Sequence, residues 1–268
     1  MELSIAIPDS SLLDESTQLD KSRKISTIAR ACAIFKINTI YIYNDKGSNQ
    51  DRTLLVTILK YLETPPFLRK RLFPRVNELK YAGVLSPLKI PSHVTPTNPK
   101  KIASGDIREG IVVSYKGKKF VDVGINQLIP YFGKKDLAKR ITIQFKKGFP
   151  DFSVKEITKD EAKEYWGYQI KERSVLSSLM ASWDGKIILT SRKGKMISPS
   201  VIHEYANYSK PILVVFGSTD KGVHEILGSK IKQIQNSKIL NFFPGQATET
   251  VRLEEAVLGT VSILKSGL

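Results

Sequence analysis

The sequence lacks most of what secreted and membrane proteins depend on. It has a single cysteine, Cys32, among 268 residues, so no intrachain disulfide can form. No apolar run approaches the roughly 18 residues that a membrane-spanning helix needs. Residues 1–4 carry no basic flank, which predicts that there is no signal peptide. We therefore expect a cytoplasmic protein with no membrane association.

Histidines are also scarce. His93, His203 and His224 lie in unrelated segments, and with one thiol they do not make a zinc site. We therefore expect no bound metal, and we expect His203 and His224 to be surface or loop residues.

Acidic side chains are few relative to basic ones. Lys and Arg number 42 against 26 Asp and Glu, which gives a formal net charge of +16. An excess this large indicates a polyanionic partner, and nucleic acid is the first choice because each neutralised phosphate releases counterions. Solubility in a cell with a basic proteome is the alternative explanation.

The first part of the chain alternates strands and helices. Residues 3–7 and 39–43 have the pattern of strands, and apolar residues recur at helical spacing from about residue 21. A second helical pattern stops at Thr64-Pro65-Pro66. This order is typical of an α/β domain, and the same rhythm resumes after about residue 165.

The middle of the chain has a different pattern. Prolines open the segment 87–160, and Lys116-Gly117-Lys118 predicts a tight hairpin. Short strands without a long helix are typical of a small barrel such as an OB-fold. The expected strands are residues 111–115, 119–123, 127–131, 141–145 and 153–157. We therefore predict an α/β domain formed by residues 1–86 and 161–268, with a barrel inserted at 87–160.

A buried strand over residues 212–216 ends in a glycine-containing loop, 217–222. Two glycines have the spacing of a phosphate-binding loop, but Val223 and His224 stand where Lys and Ser or Thr would be needed. The pattern therefore argues against a nucleoside triphosphate site.

The next sheet strand ends in the same way, at Phe242-Phe243-Pro244-Gly245. Backbone groups at such strand ends can approach a ligand closely, at the edge where α/β sheets bind. Two such loops suit a flat adenine with a small polar tail, while ordinary turns are the alternative.

These residues resemble a known family. Residues 211–264 are similar to the last part of the SPOUT class of S-adenosylmethionine-dependent RNA methyltransferases. The motif VRLEEA at 251–256 resembles the Leu-Arg-Thr-Glu-Thr-Ala motif of SPOUT enzymes that methylate uridine N3 in small-subunit rRNA, and it differs at Leu253 and Glu255. Residues 28–43 resemble the first SPOUT motif, in which an arginine is catalytic in ribose 2′-O enzymes. The whole arrangement looks most like an archaeal and eukaryotic group of RNA methyltransferases with an OB-like insert.

The resemblance implies a SPOUT α/β trefoil-knot domain with a small inserted β-barrel. It implies an S-adenosylmethionine-dependent methyltransferase of RNA, acting on rRNA at uridine N3 or a ribose 2′-oxygen, and a homodimer formed through the knot domain. It also implies that Arg30 and Arg252 are catalytic and that Glu254 takes the proton. The cofactor would contact Phe216, Gly217, Ser218, Thr219, Gly222, Asn241, Phe242, Phe243, Gly245, Gln246, Thr248, Thr250 and Val251.

Charge and position suggest which side chains contact the RNA. They are Arg23, Arg69, Lys70, Lys118, Lys134 and Lys135. A non-catalytic RNA-binding factor of ribosome assembly that keeps the knot is the alternative, and a basic architectural DNA-binding protein is a third reading. The glycines of both loops favour an active enzyme.

Overall fold

A computed structural model describes residues 2–93, 97–173, 175–218 and 220–266. The chain forms two units. The first consists of residues 1–62, 77–88 and 168–268, and the second of residues 63–76 and 89–167. The second unit thus includes residues 63–76, a segment that the sequence pattern placed in the α/β domain.

The elements follow one another in this order along the chain. They are β1 (Leu3–Pro8), α1 (Gln18–Ile34), β2 (Thr39–Tyr43), α2 (Asn49–Glu63), α3 (Pro66–Leu72), β3 (Ile107–Tyr115), β4 (Lys118–Asp122), β5 (Ile129–Pro130), β6 (Arg140–Lys147), β7 (Ser153–Ile157), β8 (Gln169–Arg173), α4 (Leu176–Ala181), β9 (Lys186–Met196), α5 (Pro199–Ala206), β10 (Ile212–Val215), α6 (Val223–Leu227), β11 (Ser237–Asn241) and α7 (Leu253–Ser266). Short 3₁₀ helices cover Asn77–Leu79, Ala82–Val84, Pro91–His93, Pro99–Lys101, Lys159–Glu161 and Gly228–Gln233.

A parallel sheet of six strands forms the centre of the first unit, in the order β11-β9-β10-β1-β2-β8. In the middle of the sheet Ile5 lies opposite Ile40 on one side and Val214 on the other. Every residue of β1, β2 and β10 is buried, as in parallel sheets that are covered on both faces. The α/β fold expected from the apolar strands is confirmed.

Capping residues start two helices of this unit. The Thr17 hydroxyl accepts from the Asp20 amide at the start of α1, and the Ser198 hydroxyl accepts from the Val201 amide at the start of α5. In α5, Pro199 takes the first helical position, where its missing N–H has no cost. Helix α1 packs against α7, so residues from both ends of the chain come together.

The second unit holds an antiparallel sheet in the order β5-β4-β3-β6-β7. The predicted tight hairpin is confirmed, with Lys116 and Gly117 at φ of 48° and 75° as the two turn residues and Lys118 already in β4. The Tyr131 hydroxyl, just after β5, donates to Glu156 Oε2 in β7 at 2.9 Å, so the two edge strands nearly close the sheet. The expected small barrel is confirmed in this form. Within the described part of the chain, no helix has both the length and the apolar character to cross a membrane.

Two elements were missed from the sequence. β8 is an edge strand with a mostly exposed, polar sequence, so it lacks the apolar alternation by which strands are recognised. α3 begins with Pro66 in its first turn, where the two prolines predict only the end of α2. Both misses arise where the local pattern is polar or contains proline.

A buried charge cluster lies in the second unit. Arg140 Nε is 2.5 Å from Glu109 Oε2, and Arg140 Nη1 is 2.6 Å from Glu63 Oε2. Trp166 Nε1 donates to the other Glu109 oxygen at 2.7 Å, and Lys159 pairs with Glu63. Burial lowers the pKa of Arg140, but the carboxylates of Glu63 and Glu109 outweigh it and raise that pKa overall. The guanidinium of Arg140, together with Lys159, therefore balances two carboxylates that are almost fully removed from water.

We predict that Arg140→Met lowers the free energy of unfolding of the second unit by about 3–5 kcal/mol, because it leaves both carboxylates without this partner. Urea unfolding followed by Trp166 fluorescence, in a Trp183→Phe background, measures this change. Lys139→Met, at the exposed neighbouring position, is the control and should leave the midpoint nearly unchanged. Equal midpoints for Arg140→Met and the control would show that the cluster does not stabilise the unit.

Candidate active site

A cavity of about 570 Å³ lies in the first unit, bordered by the loops that follow β10 and β11. Its volume is within the range of small-molecule sites in proteins. The structure brings most of the predicted cofactor residues together around it. Those that line it are Phe216, Gly217, Ser218, Gly222, Asn241, Phe242, Phe243, Gln246, Thr250 and Val251, together with the predicted catalytic Arg252.

Two predicted cofactor residues within the described part of the chain, Gly245 and Thr248, are not part of this lining. Gly245 has φ of 73°, a conformation that favours glycine, and it forms the turn after β11. The carbonyl of Thr248 accepts from Gln246 Nε2 at 2.9 Å, which braces the same loop. Thr219 lies outside the described residues.

Hydrogen bonds fix the loop after β10. The Phe216 amide donates to the carbonyl of Ala6 at 2.9 Å, and the buried Tyr43 hydroxyl donates to the carbonyl of Phe216 at 2.7 Å. Burial raises the pKa of Tyr43 well above its ordinary value, so the hydroxyl keeps its proton and remains a donor. A Cβ on Gly217 would lie 2.8 Å from the carbonyl oxygen of Lys221, so the loop closes only with glycine there.

A bulge in β9 forms another wall. Leu189 lies opposite Ile239, but the next residue of β11, Leu240, lies opposite Lys195, so residues 190–194 leave the sheet. Residues 190–193 of this bulge line the cavity. The Asn241 side chain donates to the carbonyl of Arg192 at 3.0 Å. The sequence pattern did not identify these residues as part of the site, although a glycine at position 194 inside a strand is a signal for a bulge.

Two buried polar atoms at the cavity have no partner. His224 Nε2 and Thr260 Oγ1 are inaccessible to water and have no hydrogen-bond partner among the described residues, and both side chains line the cavity. His224 is thus not the surface or loop residue that was expected. An unmade hydrogen bond of a buried group costs about 1–3 kcal/mol, so a ligand that bonds to these atoms would gain affinity.

Ion pairs connect the cavity to α1. Lys24 is buried, and its Nζ lies 2.5 Å from Asp14 Oδ1 and 3.3 Å from Glu254 Oε2. The guanidinium of Arg252 lies 3.2 Å from Glu15 Oε1 and 4.0 Å from Glu254 Oε1. Asp14 and Arg252 line the cavity, whereas Glu254 lies beside them with Oε2 buried. Lys24 therefore holds two carboxylates, and Glu254 contacts both cations.

The other predicted basic residues lie away from the lining. Arg30 donates from Nη1 to the carbonyl of Pro87 at 2.7 Å. Arg23 is exposed and pairs with Asp20, while Arg69 donates from Nε to the carbonyl of Thr64. The remaining predicted RNA contacts are exposed side chains of the second unit, namely Lys70, Lys118, Lys134 and Lys135.

We predict that Tyr43→Phe loosens the loop after β10, because the carbonyl of Phe216 loses a buried donor at a cost of about 1–3 kcal/mol. Hydrogen exchange should rise in residues 216–222 and little elsewhere. Tyr168→Phe is the matched control, since the Tyr168 hydroxyl donates to the carbonyl of Leu59 in the same unit but away from the cavity. Equal exchange of the loop in the two variants would contradict this role of Tyr43.

The chain is similar in sequence to several known proteins. An uncharacterised protein of Halobacterium salinarum is 29% identical to the chain, over 98% of the chain and 99% of that protein. The human and mouse proteins named 28S rRNA (uridine-N(3))-methyltransferase are 28% and 27% identical over 99% of the chain, which spans 78% and 76% of their lengths. The family described as "Putative RNA methyltransferase" matches residues 2–264, which is nearly the full length. The chain therefore belongs to this family of RNA methyltransferases.

Proposed function

We propose that this protein transfers a methyl group from S-adenosylmethionine to uridine N3 in ribosomal RNA. The observation that carries the proposal is the cavity at the strand ends, with two unpartnered buried polar atoms and an exposed arginine, Arg252, on its border. The names of the human and mouse relatives favour uridine N3 over a ribose oxygen as the target.

The lining of the cavity suits the proposed methyl donor. Phe216, Phe242 and Phe243 offer apolar surface for an adenine ring, and His224 and Thr260 offer the polar atoms that lack partners. Gly217 keeps the loop close without a side chain. When bound, S-adenosylmethionine supplies a methyl group on a positively charged sulfur, which needs an aligned nucleophile and no metal.

The charged residues beside the cavity suit the removal of the proton from uridine N3. Uridine N3 is weakly acidic, and a nearby cation stabilises the anion that forms as its proton leaves. Arg252 is more than half exposed at the start of α7, so its guanidinium is accessible to a nucleotide although it pairs with Glu15. We propose Glu254 as the proton acceptor, with Asp14 as the other carboxylate within the same cluster. Lys24 would hold both carboxylates in place.

We further propose that the first unit is a SPOUT trefoil knot and that the protein is a homodimer. The bulge at 190–194 supports the knot, because Arg192 Nη1 donates to the carbonyl of Glu249, on the segment that leads to α7, at 2.8 Å. Ile34 and Leu258, on the helices α1 and α7 that pack together, are exposed and would be covered in a dimer. Arg30 would then act in the site of the partner subunit.

RNA binding would involve both units. Arg23 and Lys70 are exposed, and Lys118, Lys134 and Lys135 cluster on the barrel. Arg69, which donates to the carbonyl of Thr64, is proposed as a further RNA contact. The net charge of +16 supports such contacts, which weaken as salt increases.

We predict that Arg252→Ala reduces the rate of N3-methyluridine formation by about 10²–10³-fold, since the variant removes a charge that acts as the anion forms. The affinity for S-adenosylmethionine should stay nearly constant. Mass spectrometry of nucleosides from methylated rRNA measures the product, with Arg173→Ala as a control at an exposed position on β8. Full activity of Arg252→Ala would reject the role of this residue. If the wild type binds rRNA but forms no methylated nucleoside, the protein is instead a non-catalytic factor of ribosome assembly.

The same assay tests Arg30. Arg30→Ala alone should also methylate rRNA slowly. After it is mixed with an equal amount of Arg252→Ala and the subunits exchange, about half of the dimers contain one subunit of each variant. One of the two sites in such a dimer is intact, so about a quarter of the wild-type activity should return. No recovery would show that Arg30 does not act across an interface.

A further inference from the structure

The second unit carries aromatic side chains on its outer surface that nothing in the fold requires. Tyr115 at the end of β3 is 52% exposed, and Phe132, just after β5, is 96% exposed. Phe120 of β4 lies between them in the sheet and contacts Tyr115 edge to face, with ring centroids 6.1 Å apart. We call these three residues the outer aromatic face.

Strand pairing places the rings of Tyr115 and Phe120 on one side of the sheet. Tyr115 lies opposite Lys118, and Phe120 lies opposite Pro130. Neighbouring residues with the other orientation, such as Val121 and Tyr131, are buried in the barrel core. Because side chains alternate along a strand, Phe120 and Tyr115 point away from the core, and Phe132 is exposed just after the neighbouring strand β5. Tyr115 and Phe132 are separated by β4, which puts them roughly 10 Å apart.

The loop that presents Phe132 is braced. The Tyr131 hydroxyl accepts from the Lys135 amide at 3.3 Å while it donates to Glu156. Lys119 Nζ donates to the carbonyl of Lys135 at 2.8 Å. A Cβ on Gly133 would overlap the Tyr131 ring, so the loop lies directly against that ring. A loop with this many internal contacts holds Phe132 away from the core, although burial of the ring would have been favourable.

The charge around this face selects one kind of partner. Lys116 Nζ lies 5.4 Å from the centre of the Tyr115 ring. The other cations of these strands and loops are exposed as well, namely Lys118, Lys119, Lys134, Lys135 and Lys139. Of the nearby carboxylates, Glu156 is already paired with Tyr131 and lies 3.7 Å from Lys135. Separate rings within a field of lysines match a chain of bases and phosphates better than the apolar surface of a protein.

We propose that the outer aromatic face is a stacking platform for unpaired bases of RNA, with the surrounding lysines contacting the phosphates. Bases in a duplex are stacked on each other, so only a single-stranded segment can place its bases on these rings. This inference rests on the proposed function, because it names the part of the RNA substrate that the barrel holds. The proposal attributes part of the affinity for single-stranded RNA to the aromatic rings and not only to the positive charge.

The test uses the full-length protein and a fluorescein-labelled ten-nucleotide oligouridylate, with anisotropy measured at several salt concentrations. Phe132→Ala should bind about 5- to 100-fold more weakly, with an unchanged salt dependence, and Phe132→Trp should keep the affinity. Leu137→Ala is the control, because Leu137 is 49% exposed in the adjacent turn but has no ring. Lys134→Ala should reduce the salt slope by about 1.

Three results would contradict the proposed stacking platform. The first is that Phe132→Ala binds oligouridylate as tightly as the wild type, and the second is that Phe132→Trp binds it as weakly as Phe132→Ala. The third is that the wild type binds the oligouridylate equally tightly when that strand is paired with oligoadenylate. A loss of self-association or of a protein contact in Phe132→Ala, with RNA binding intact, would assign the face to a protein partner. The methylation assay keeps the two proposals apart. If the wild type methylates rRNA but Phe132→Ala binds oligouridylate as the wild type does, only the stacking platform is rejected. If binding depends on the ring but the wild type does not methylate rRNA, only the proposed reaction is rejected.

Discussion

Parallel strand pairing is the constraint from which the candidate site follows. β9, β10 and β1 lie side by side and run in the same direction, so their carboxyl ends meet at one edge of the sheet, and β11 adds a fourth end there. The loops after β10 and β11 are close only because of this pairing. Tyr43 on β2 reaches the same edge and donates to the carbonyl of Phe216. The cavity is therefore a consequence of strand order, while its shape depends on Gly217 and on the bulge in β9.

Charge connects this edge to the rest of the first unit. α1 and α7 come from opposite ends of the chain, and Lys24 of α1 contacts Glu254 of α7 and Asp14 of the loop that precedes α1. A buried lysine with two carboxylates costs desolvation and gives little net stability, but it is a precise way to position side chains. Arg252 lies on the exposed side of this cluster, next to the cavity. This arrangement leaves the paired but exposed guanidinium of Arg252 accessible to a nucleotide, while the carboxylates beside it are held by Lys24.

Much of the fold was predictable because its signals are local. The apolar runs of β2 and β10, the serine and proline at the start of α5, and the Lys116-Gly117 hairpin each specify their own geometry. The positions of the strand ends that border the cavity were predictable from apolar runs of the same kind. The role of Lys24 was not predictable, because a lysine on a helix usually faces water and its partner Glu254 is distant in sequence. His224 was misjudged for a related reason, since the cavity that its side chain lines forms only when the loops after β10 and β11 come together in the folded chain.

Calorimetric titration of the purified protein with S-adenosylmethionine tests the central claim, that the cavity at the strand ends holds the methyl donor. The wild-type chain should bind saturably at one site per chain. Gly217→Ala should lose at least about tenfold in affinity, because its Cβ would meet the carbonyl of Lys221, and Gly83→Ala should bind as wild type does, because its Cβ meets no atom within 4 Å. Absence of binding by the wild type, with and without added RNA, or equal binding by Gly217→Ala, would contradict the account.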